Sequence, residues 1–322
     1  MTKHIYIYSP SGAVRDKAAF KRGVKRLEIL GYAVEIDADA LASHQRFAGD
    51  DETRIAAIHR AAASGADVAM ISRGGYGITR ILPGIHYKAL AKAVGRGTQF
   101  VGFSDFTALQ LALLAKTGQT TWAGPAVCDD FGVGQRSSDP DGHDSGAATG
   151  PDDIMEDCFN DLVTGQVEGT GWQQLKTAAG EAPRRDLAIR GATLWGGNLA
   201  VLCSLVGTPY FPQVKGGILF LEDVAEHPYR IERMLTQLLH AGVLAQQKAV
   251  VLGQFTAYKL GTHDKGFKLQ SVVDWLQKRI KAPVLTNLPV GHVMTKVVLP
   301  VGLKVDLLAQ GREAFLVWGH AH

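Results

Sequence analysis

Short apolar segments alternate with helical patterns up to about residue 127. The strand-like segments are "HIYIYSP", "YAVEI", "DVAMIS" and "QFVGFS", and amphipathic helical patterns cover Lys17–Leu30 and Thr53–Ala63. Such alternation predicts a parallel sheet with helices on both faces. In open sheets of this kind, ligands bind beyond the carboxyl ends of the strands. Two unusual turns, "SRGGYG" and "GFSD", fall at that edge.

The pattern changes twice in the second part of the chain. From Asp129 to Asp153 apolar residues nearly vanish while Gly, Ser and Asp dominate, which predicts a loop that is mobile in part. Later segments, among them "GGILFLED" and "KAVVLGQF", predict a β-rich region with helices over Pro228–Ala241 and Ser271–Ile280. We therefore expect an N-terminal domain, a loop and linker, and a C-terminal domain, with the bounds 1–128, 129–185 and 186–322.

Composition and charge exclude several classes of protein. The 322 residues are enough for two domains that bury substantial cores. The net charge is only +3, and 34 basic and 31 acidic residues are interspersed, which argues against a dedicated nucleic-acid binder. No apolar run approaches the roughly 20 residues of a membrane span, and the N-terminus lacks the features of a secretory signal. Together with three widely spaced cysteines, Cys128, Cys158 and Cys203, interpreted as reduced and buried, this predicts a cytoplasmic protein.

Ser104 lies between an apolar strand and a helix, in the stretch "QFVGFSDFTALQLALLAKTGQ". Unpaired amide N–H groups converge at the start of a helix, and the helix dipole favours negative charge there. A nucleophilic serine at this position would therefore be close to groups that stabilise an oxyanion. The alternative is an ordinary helix N-cap. The nucleophile elbow G-x-S-x-G is incomplete because Phe106 replaces its second glycine, so both interpretations stay open.

Three further segments carry candidate chemistry. In "SRGGYGITRIL", Gly74 and Gly75 could bring a backbone N–H close to a substrate carbonyl, although a phosphate-binding turn or a purely structural turn is an alternative. Glu222, at a strand end, could orient a histidine or belong to a solvated acidic cluster. His292 follows a tight loop in "NLPVGHV". The zinc-peptidase motifs are absent, so neither a metal nor another cofactor is expected.

Taken together and in this order, "RGGYG", "GFSDFTAL", "WGGNLAVLCSLVGTPYFP", "LFLEDVAEHPYRIERML" and "LPVGHV" resemble one family. This family is the LD-carboxypeptidases, bacterial murein tetrapeptide carboxypeptidases related to the microcin-C immunity proteins. The resemblance covers nearly the whole chain. It implies a flavodoxin-like N-terminal domain with a parallel sheet, a smaller β-rich α/β C-terminal domain and a homodimer. The segment 129–153 departs from the family, since it is longer and richer in Gly and Asp than the usual connection.

The resemblance also implies roles for individual residues. Carried over by motif, a triad assembled across the domain interface has Ser104 as nucleophile, Glu222 as acid and His292 as base, and the backbone N–H groups of Gly75 and Asp105 form the oxyanion hole. The implied function is release of the terminal D-alanine from cytoplasmic murein tetrapeptides in peptidoglycan recycling. Two alternatives are an immunity-type peptidase that cleaves a peptidyl-nucleotide and a non-catalytic binding protein for cell-wall peptides.

A carboxypeptidase must also recognise a free terminal carboxylate, which calls for Arg, Lys or backbone donors. Arg73, beside the glycine turn, and Lys296, four residues after His292, are candidates, and each could equally be a surface charge. Trp195 and Asn198 in "WGGN" could line the substrate pocket. For Trp195 a place in the packed core is the alternative.

Overall fold

The structure is a computed structural model that describes residues 2–134, 150–176 and 186–319. The chain folds into two compact units, and each is built from several separate segments. The N-terminal unit comprises the residues up to Leu109, Thr121–Thr164 and Met294–Leu299. The C-terminal unit comprises Gln110–Thr120, Gly165–Val293 and the residues from Pro300 onward.

A parallel sheet forms the centre of the N-terminal unit. Its strands are β1 (His4–Tyr8), β2 (Ala33–Ile36), β3 (Val68–Ile71), β4 (Gln99–Gly102) and β5 (Thr121–Ala123). They pair in parallel in the order β2-β1-β3-β4-β5, and a strand that begins at Leu299 follows β5. This is the flavodoxin-like strand order. The predicted fold of the N-terminal domain is therefore confirmed.

Helices lie between these strands, and one more follows β5. They are α1 (Lys17–Ile29), α2 (Asp51–Ala63), α3 (Ile78–Ile81), α4 (Tyr87–Gly95), α5 (Thr107–Thr117) and α6 (Asp153–Thr164). The first two agree with the predicted helices to within about two residues at each end. Both begin at an aspartate whose side chain accepts a backbone N–H of the first turn, Asp16 from Ala19 and Asp50 from Thr53.

Helix α6 lies inside the segment that the sequence analysis expected to be loop and linker, 129–185. Its apolar residues Met155, Phe159 and Leu162 recur at helical spacing and are fully buried. This burial supplies the free energy that holds a helix in an otherwise polar stretch. The chain then forms strand β6 (Gly169–Gln173).

The expected loop over 129–153 is described only at its two ends. At its start the chain forms a π-helical turn, Val127–Phe131, instead of an irregular loop, because the Phe131 ring packs edge to face against Phe159. The remainder of the expected mobile segment, residues 135–149, lies outside the described residues.

A mixed sheet of seven strands forms the centre of the C-terminal unit. Besides β6, its strands are β7 (Leu187–Asn198), β8 (Ile218–Val224), β9 (Ala249–Thr256), β10 (Val284–Leu285), β12 (Lys304–Gln310) and β13 (Glu313–Val317). Strand β11 (Leu299–Val301) is the one that follows β5 in the other sheet. The order in this sheet is β10-β9-β8-β7-β12-β13-β6. Strands β7 to β10 pair in parallel, and β12, β13 and β6 extend the sheet in antiparallel fashion. The predicted β-rich α/β domain is confirmed.

Among its described residues, the C-terminal unit contains α7 (Leu199–Leu205), α8 (Pro228–His240) and α9 (Leu269–Arg279), together with most of α5. Helix α7 starts directly after β7, where Asn198 is its N-cap. Asn198 is paired with Glu222 of β8 in the parallel register. Because parallel strands end at the same edge of a sheet, this register places both polar residues at the carboxyl edge.

None of the helices in the described part of the chain is long and apolar enough to cross a membrane. The three cysteines are free thiols. Cys128 and Cys203 are buried as predicted, whereas Cys158 is half-buried. Burial raises the pKa of the Cys128 and Cys203 thiols to about 12, so both are protonated and unreactive at neutral pH.

Candidate active site

Ser104 adopts a left-handed backbone conformation directly after strand β4. Its φ angle is +63°, and it begins a short 3-10 turn, Ser104–Phe106, that leads into α5. An N-cap residue has extended backbone angles, and here Phe103 is the residue that has them. The capping alternative therefore does not describe this serine. Left-handed backbone at a residue with a Cβ costs on the order of 1–3 kcal/mol and is concentrated at functional sites.

The glycine turn after β3 packs directly against this serine. A Cβ at Gly74 would lie 2.8 Å from the Cβ and 2.9 Å from the Oγ of Ser104, and 3.8 Å from the backbone nitrogen of Asp105. The next residue, Gly75, has a φ of +124° and approaches the Cα of Gly12 so closely that a Cβ would lie 3.1 Å from it. Only glycine permits this arrangement. The two turns predicted at the sheet edge are thus in contact in the N-terminal unit.

The carboxylate of Asp105 holds the two turns together. It is 2% exposed and accepts hydrogen bonds from Ser11 Oγ at 2.5 Å and from the Ile78 backbone N–H at 3.0 Å. Burial raises the pKa of Asp105, and the bonds from Ser11, Ile78 and Gly77 oppose that rise. The family resemblance implies a role only for the backbone N–H of Asp105. The buried carboxylate of Asp105 is therefore part of the site, and the sequence did not predict it.

A buried arginine fixes the other end of the glycine turn. Arg54 of α2 is fully buried, and its Nη1 donates to the carbonyl oxygen of Gly77 at 2.9 Å. Nη2 forms a salt bridge with Asp51 at 2.5 Å, and the guanidinium lies 4.6 Å from the centre of the Phe47 ring. A buried charge held on three sides cannot easily be displaced. The turn that touches Ser104 is therefore held in place by side chains from two other elements.

In the C-terminal unit, His292 and Glu222 form a hydrogen-bonded pair. Nδ1 of His292 lies 2.9 Å from Oε2 of Glu222. The Glu222 side chain is 3% exposed and that of His292 is 23% exposed. With the Glu222 carboxylate as the acceptor, Nδ1 is the donor nitrogen of the ring and Nε2 is its other nitrogen, the acceptor. The alternative of a solvated acidic cluster is wrong for Glu222, because the sheet buries it.

Asn198 orients the two acidic residues at the end of β8. Its Nδ2 donates to Oε1 of Glu222 at 3.2 Å and to Oδ1 of Asp223 at 2.9 Å. Its own Oδ1 accepts the N–H of Val201 at the start of α7. Burial raises the pKa of Asp223 to about 6, against hydrogen bonds from Asn198 and from backbone N–H groups that include that of Ala200. Asn198 thus fixes the carboxylate of Glu222 through the oxygen that does not face His292.

A glycine directly before His292 makes the pair possible. Gly291 has a φ of +122°, and a Cβ at this position would lie 2.7 Å from Oε2 of Glu222. The carbonyl oxygen of His292 accepts a hydrogen bond from Thr256 Oγ1 at 3.3 Å. The tight loop predicted from "LPVGHV" therefore serves two purposes, a close approach to Glu222 and a fixed backbone for the histidine.

Two other candidates are buried, Lys296 in an ion pair that was not expected and Trp195 in the core, which was one of its two alternatives. Lys296 is buried, and its Nζ forms a salt bridge with Asp130 at 2.5 Å and lies 4.1 Å from the centre of the Phe103 ring. It is neither a surface charge nor available to a ligand carboxylate. Trp195 is fully buried and donates its indole N–H to Oε1 of Gln247 at 2.9 Å, so it belongs to the core of the C-terminal unit.

The predicted site residues thus fall into two sets, one in each unit. Gly75, Ser104 and Asp105 lie together in the N-terminal unit, and Glu222 and His292 lie together in the C-terminal unit. Among the described residues, no group of three or more His, Cys, Asp or Glu side chains could hold a metal ion.

Comparisons with known proteins assign the family. A model of the LD-carboxypeptidase N-terminal domain matches residues 5–124, and a model of the LD-carboxypeptidase C-terminal domain matches residues 191–307. A solved structure of a muramoyltetrapeptide carboxypeptidase from Oxalobacter formigenes is 37% identical, covers 98% of this chain and 99% of its own, and has a TM-score of 0.83. These matches define the class of the protein as a carboxypeptidase. The chain belongs to the LD-carboxypeptidase family.

Two further relatives carry names that refer to different substrates. A murein tetrapeptide carboxypeptidase of Pseudomonas aeruginosa is 28% identical over 89% of this chain and 87% of its own length. The microcin C7 self-immunity protein of Escherichia coli is 26% identical over 74% of this chain and 70% of its own. Its solved wild-type structure, 20% identical with a TM-score of 0.81, covers 99% of this chain and 97% of that one and shares the fold.

Proposed function

We propose that the protein is a serine LD-carboxypeptidase that releases the terminal D-alanine from murein tetrapeptides. The observation that carries this proposal is the left-handed Ser104 at the end of β4, packed against the glycine turn. Such an elbow exposes a hydroxyl beside backbone N–H groups, which is what acyl transfer requires. The murein carboxypeptidases among the relatives support the substrate class.

In the proposed mechanism Ser104 attacks the carbonyl carbon of the penultimate residue. His292 Nε2 takes the hydroxyl proton as the new C–O bond forms. The negative charge that develops on the carbonyl oxygen is stabilised by the backbone N–H groups of Gly75 and Asp105. The contact between Gly74 and Ser104 supports this assignment, because it keeps the glycine turn beside the attacking oxygen.

Collapse of the tetrahedral intermediate breaks the peptide bond. His292 donates its proton to the leaving nitrogen, and the terminal amino acid departs with a free amine. Water then attacks the ester of Ser104, with His292 again taking and returning the proton. Glu222 holds the imidazole in the required tautomer and stabilises the imidazolium, and its hydrogen bond to Nδ1 supports that role.

The setting of this reaction remains a set of predictions from the family resemblance. We propose a cytoplasmic homodimer that acts in peptidoglycan recycling without a metal or another cofactor. Sedimentation of the purified protein tests the oligomeric state. Activity that survives saturating EDTA would agree with a serine mechanism, whereas a loss restored by metal would contradict it.

The decisive experiment compares the parent with Ser104→Ala on free murein tetrapeptide. Mass spectrometry should show loss of one alanine with the parent, and the variant should be slower by several orders of magnitude while it still binds the peptide. His292→Ala should also reduce the rate steeply, and the double variant should be little worse than either single variant, because triad residues act as a unit. A folded Ser104→Ala protein within tenfold of the parent rate would refute the proposal.

A second candidate function is cleavage of a peptidyl-nucleotide, as an immunity-type peptidase. The observation that favours it is the similarity to the microcin C7 self-immunity protein. Turnover of an acyl-sulfamoyl adenylate, measured beside turnover of the tetrapeptide, separates the two functions. A third alternative, binding without catalysis, conflicts with the carboxypeptidase assignment, and labelling of Ser104 by a fluorophosphonate would exclude it.

A further inference from the structure

The N-terminal unit contains a cavity that the proposed mechanism does not use. Its volume is about 360 Å³, at the lower end of the range of small-ligand pockets. It is lined by residues at the start of α1, by Arg73, the second residue after β3, and by the turn after Val127. Arginines outnumber carboxylates in its wall, since Arg15, Arg22 and Arg73 face Asp16 and Asp129.

Backbone carbonyl groups hold two of these arginines. Arg73 Nη1 donates to the carbonyl oxygen of Ala13 at 3.1 Å, and Arg22 Nε donates to that of Gly132 at 2.9 Å. Among the described residues, Arg22 pairs with the carboxylate of Asp16, at the loose distance of 3.7 Å. Arg73 forms no salt bridge within residues 2–134, 150–176 and 186–319. A guanidinium fixed by neutral acceptors keeps its charge and its other N–H donors for a ligand.

Arg73 also connects the cavity to the serine elbow. The residue after it, Gly74, is the one that touches Ser104, and Arg73 Nη1 lies 3.6 Å from where a Cβ of Gly75 would be. In the last peptide bond of a chain, only one nitrogen and one carbon separate the terminal carboxylate from the carbonyl that is attacked. Arg73 is the residue directly before the glycine that packs against Ser104, and its guanidinium lies beside the next glycine of the same turn, which makes it a cation close enough to consider for that carboxylate.

We propose that this cavity is the subsite of the terminal amino acid, and that Arg73, assisted by Arg22, binds its carboxylate. The inference rests on the proposed function, because it takes Ser104 as the point of attack. It explains how the site would select a chain end, since a peptide without a terminal charge leaves the guanidinium groups unpaired and desolvated. No residue outside the N-terminal unit is needed for this recognition.

The test compares a murein tetrapeptide with the same peptide amidated at its terminal carboxyl group. With the parent enzyme, kcat/KM for the acid should exceed that for the amide by about ten- to a hundredfold, the range for a hydrogen bond to a charged group. In Arg73→Gln this ratio should fall towards one, because the acid loses its partner and the amide never had it. Arg22→Gln should reduce the ratio by a smaller factor.

Arg96→Gln is the matched control. Arg96 lies in the same unit and donates to a backbone carbonyl, that of Ala62, at 3.1 Å, but it does not line the cavity. For Arg96→Gln, the ratio of kcat/KM for the acid to kcat/KM for the amide should equal that of the parent. If Arg73 acts only by holding the glycine turn through Ala13, Arg73→Gln will slow both substrates by the same factor and leave the ratio unchanged, which would overturn the proposal.

Two further measurements keep the proposal separate from the mechanism. Calorimetric binding of acid and amide to Ser104→Ala, with and without Arg73→Gln, gives a ratio of affinities that does not depend on the rate of turnover, so a failure of the subsite can be told from a failure of the serine mechanism. The substrates also contain other carboxylates. If Arg73→Gln discriminates between tetrapeptides that differ in a side-chain carboxylate and not between acid and amide, the bound group is not the terminal one and the proposal is wrong.

Discussion

A Cβ at Gly74 would lie 2.8 Å from the Cβ of Ser104, closer than side-chain atoms normally approach. We therefore expect Gly74→Ala to push the glycine turn away from the serine. Because a displacement of about 1 Å at a reacting centre can cost on the order of a hundredfold in rate, kcat should fall by about ten- to a hundredfold, with a smaller change in KM. Steady-state kinetics on the tetrapeptide measures this.

Gly95→Ala is the control for that substitution. Gly95 ends helix α4, and a Cβ there would meet no atom within 4 Å. This variant should keep the parent kcat and gain up to about 1 kcal/mol of stability from the better helix propensity of alanine. Equal kinetics for Gly74→Ala and Gly95→Ala would show that the contact with Ser104 does not matter for turnover.

The sequence predicted the strands β1 to β4 and the helices α1, α2, α8 and α9 because their signals are local, whereas α6 and β6 lie in the segment that was expected to be loop and linker. Parallel strands buried on both faces appear as apolar runs, and the amphipathic spacing of α1 and α8 repeats within a few turns. The left-handed elbow was harder to predict, since Phe106 stands where a second glycine is usual. The structure explains why this is tolerated. The Phe106 ring is fully buried and packs against Gly102, where a Cβ would lie 2.8 Å from it.

The supports of the site could not be read from local patterns, because their partners are distant in the sequence. Asp105 and Ser11 are 94 positions apart, and Lys296 and Asp130 are 166 apart. A single sequence gives no information about which polar residues meet after folding. For the same reason Lys296 was a candidate for binding the substrate carboxylate, although in the fold it pairs with the buried carboxylate of Asp130.

Asn198→Ala tests whether the asparagine orients Glu222. Loss of its amide removes a donor from two buried carboxylates, so we expect kcat to fall by about tenfold and stability to fall by about 1–3 kcal/mol. Asn160→Ala serves as the control for kcat, because it removes one acceptor, that of the Tyr32 hydroxyl at 3.0 Å, and should keep the parent kcat while stability falls by about 1 kcal/mol. An Asn198→Ala enzyme with kcat within twofold of the parent would show that Glu222 is positioned without it.

The raised pKa of Asp223 predicts a pH dependence of stability. Its native pKa of about 6 exceeds the ordinary value of 3.8, so the native state binds a proton more tightly than the unfolded state. The stability that this proton confers is present below about pH 3.8 and is lost as the pH rises through about 6, by on the order of 2–3 kcal/mol.

Comparison with Asp223→Asn isolates this contribution. The variant cannot titrate, so its free energy of unfolding, relative to that of the parent, should rise between about pH 4 and pH 6. Any constant cost of the substitution cancels in that slope. Urea denaturation across this pH range measures it, and parallel curves for the two proteins would mean that Asp223 titrates normally in the native state.

The buried pair of Lys296 and Asp130 predicts an asymmetric response to mutation. Lys296→Met leaves the Asp130 carboxylate buried without its cation, which should cost about 3–5 kcal/mol. Adding Asp130→Asn should recover much of this loss, because the amide is neutral and its oxygen can still accept the N–H of Ala126. The free energies of unfolding of the parent, the two single variants and the double variant together give the interaction energy of the pair. Additive losses would show that the two charges do not interact.

Because the backbone of Ser104 is left-handed, we expect Ser104→Gly to be more stable than the more conservative variant Ser104→Ala. Ser104→Gly and Ser104→Ala should both lack turnover, but only glycine adopts a φ of +63° without a Cβ penalty, which is about 1–2 kcal/mol. The greater freedom of glycine in the unfolded chain offsets about 0.4–1 kcal/mol of this gain. Ser104→Gly should therefore be more stable than Ser104→Ala by up to about 1 kcal/mol.

An exposed helical serine provides the contrast that makes this result specific. Ser204 lies within α7, where glycine has no conformational advantage, so Ser204→Gly should lose about 0.5–1 kcal/mol relative to Ser204→Ala. Opposite signs at the two positions would show that Ser104 stores backbone strain in the folded protein. If glycine is also the less stable substituent at position 104, the elbow is not strained in solution. Its left-handed conformation would then no longer support Ser104 as the nucleophile.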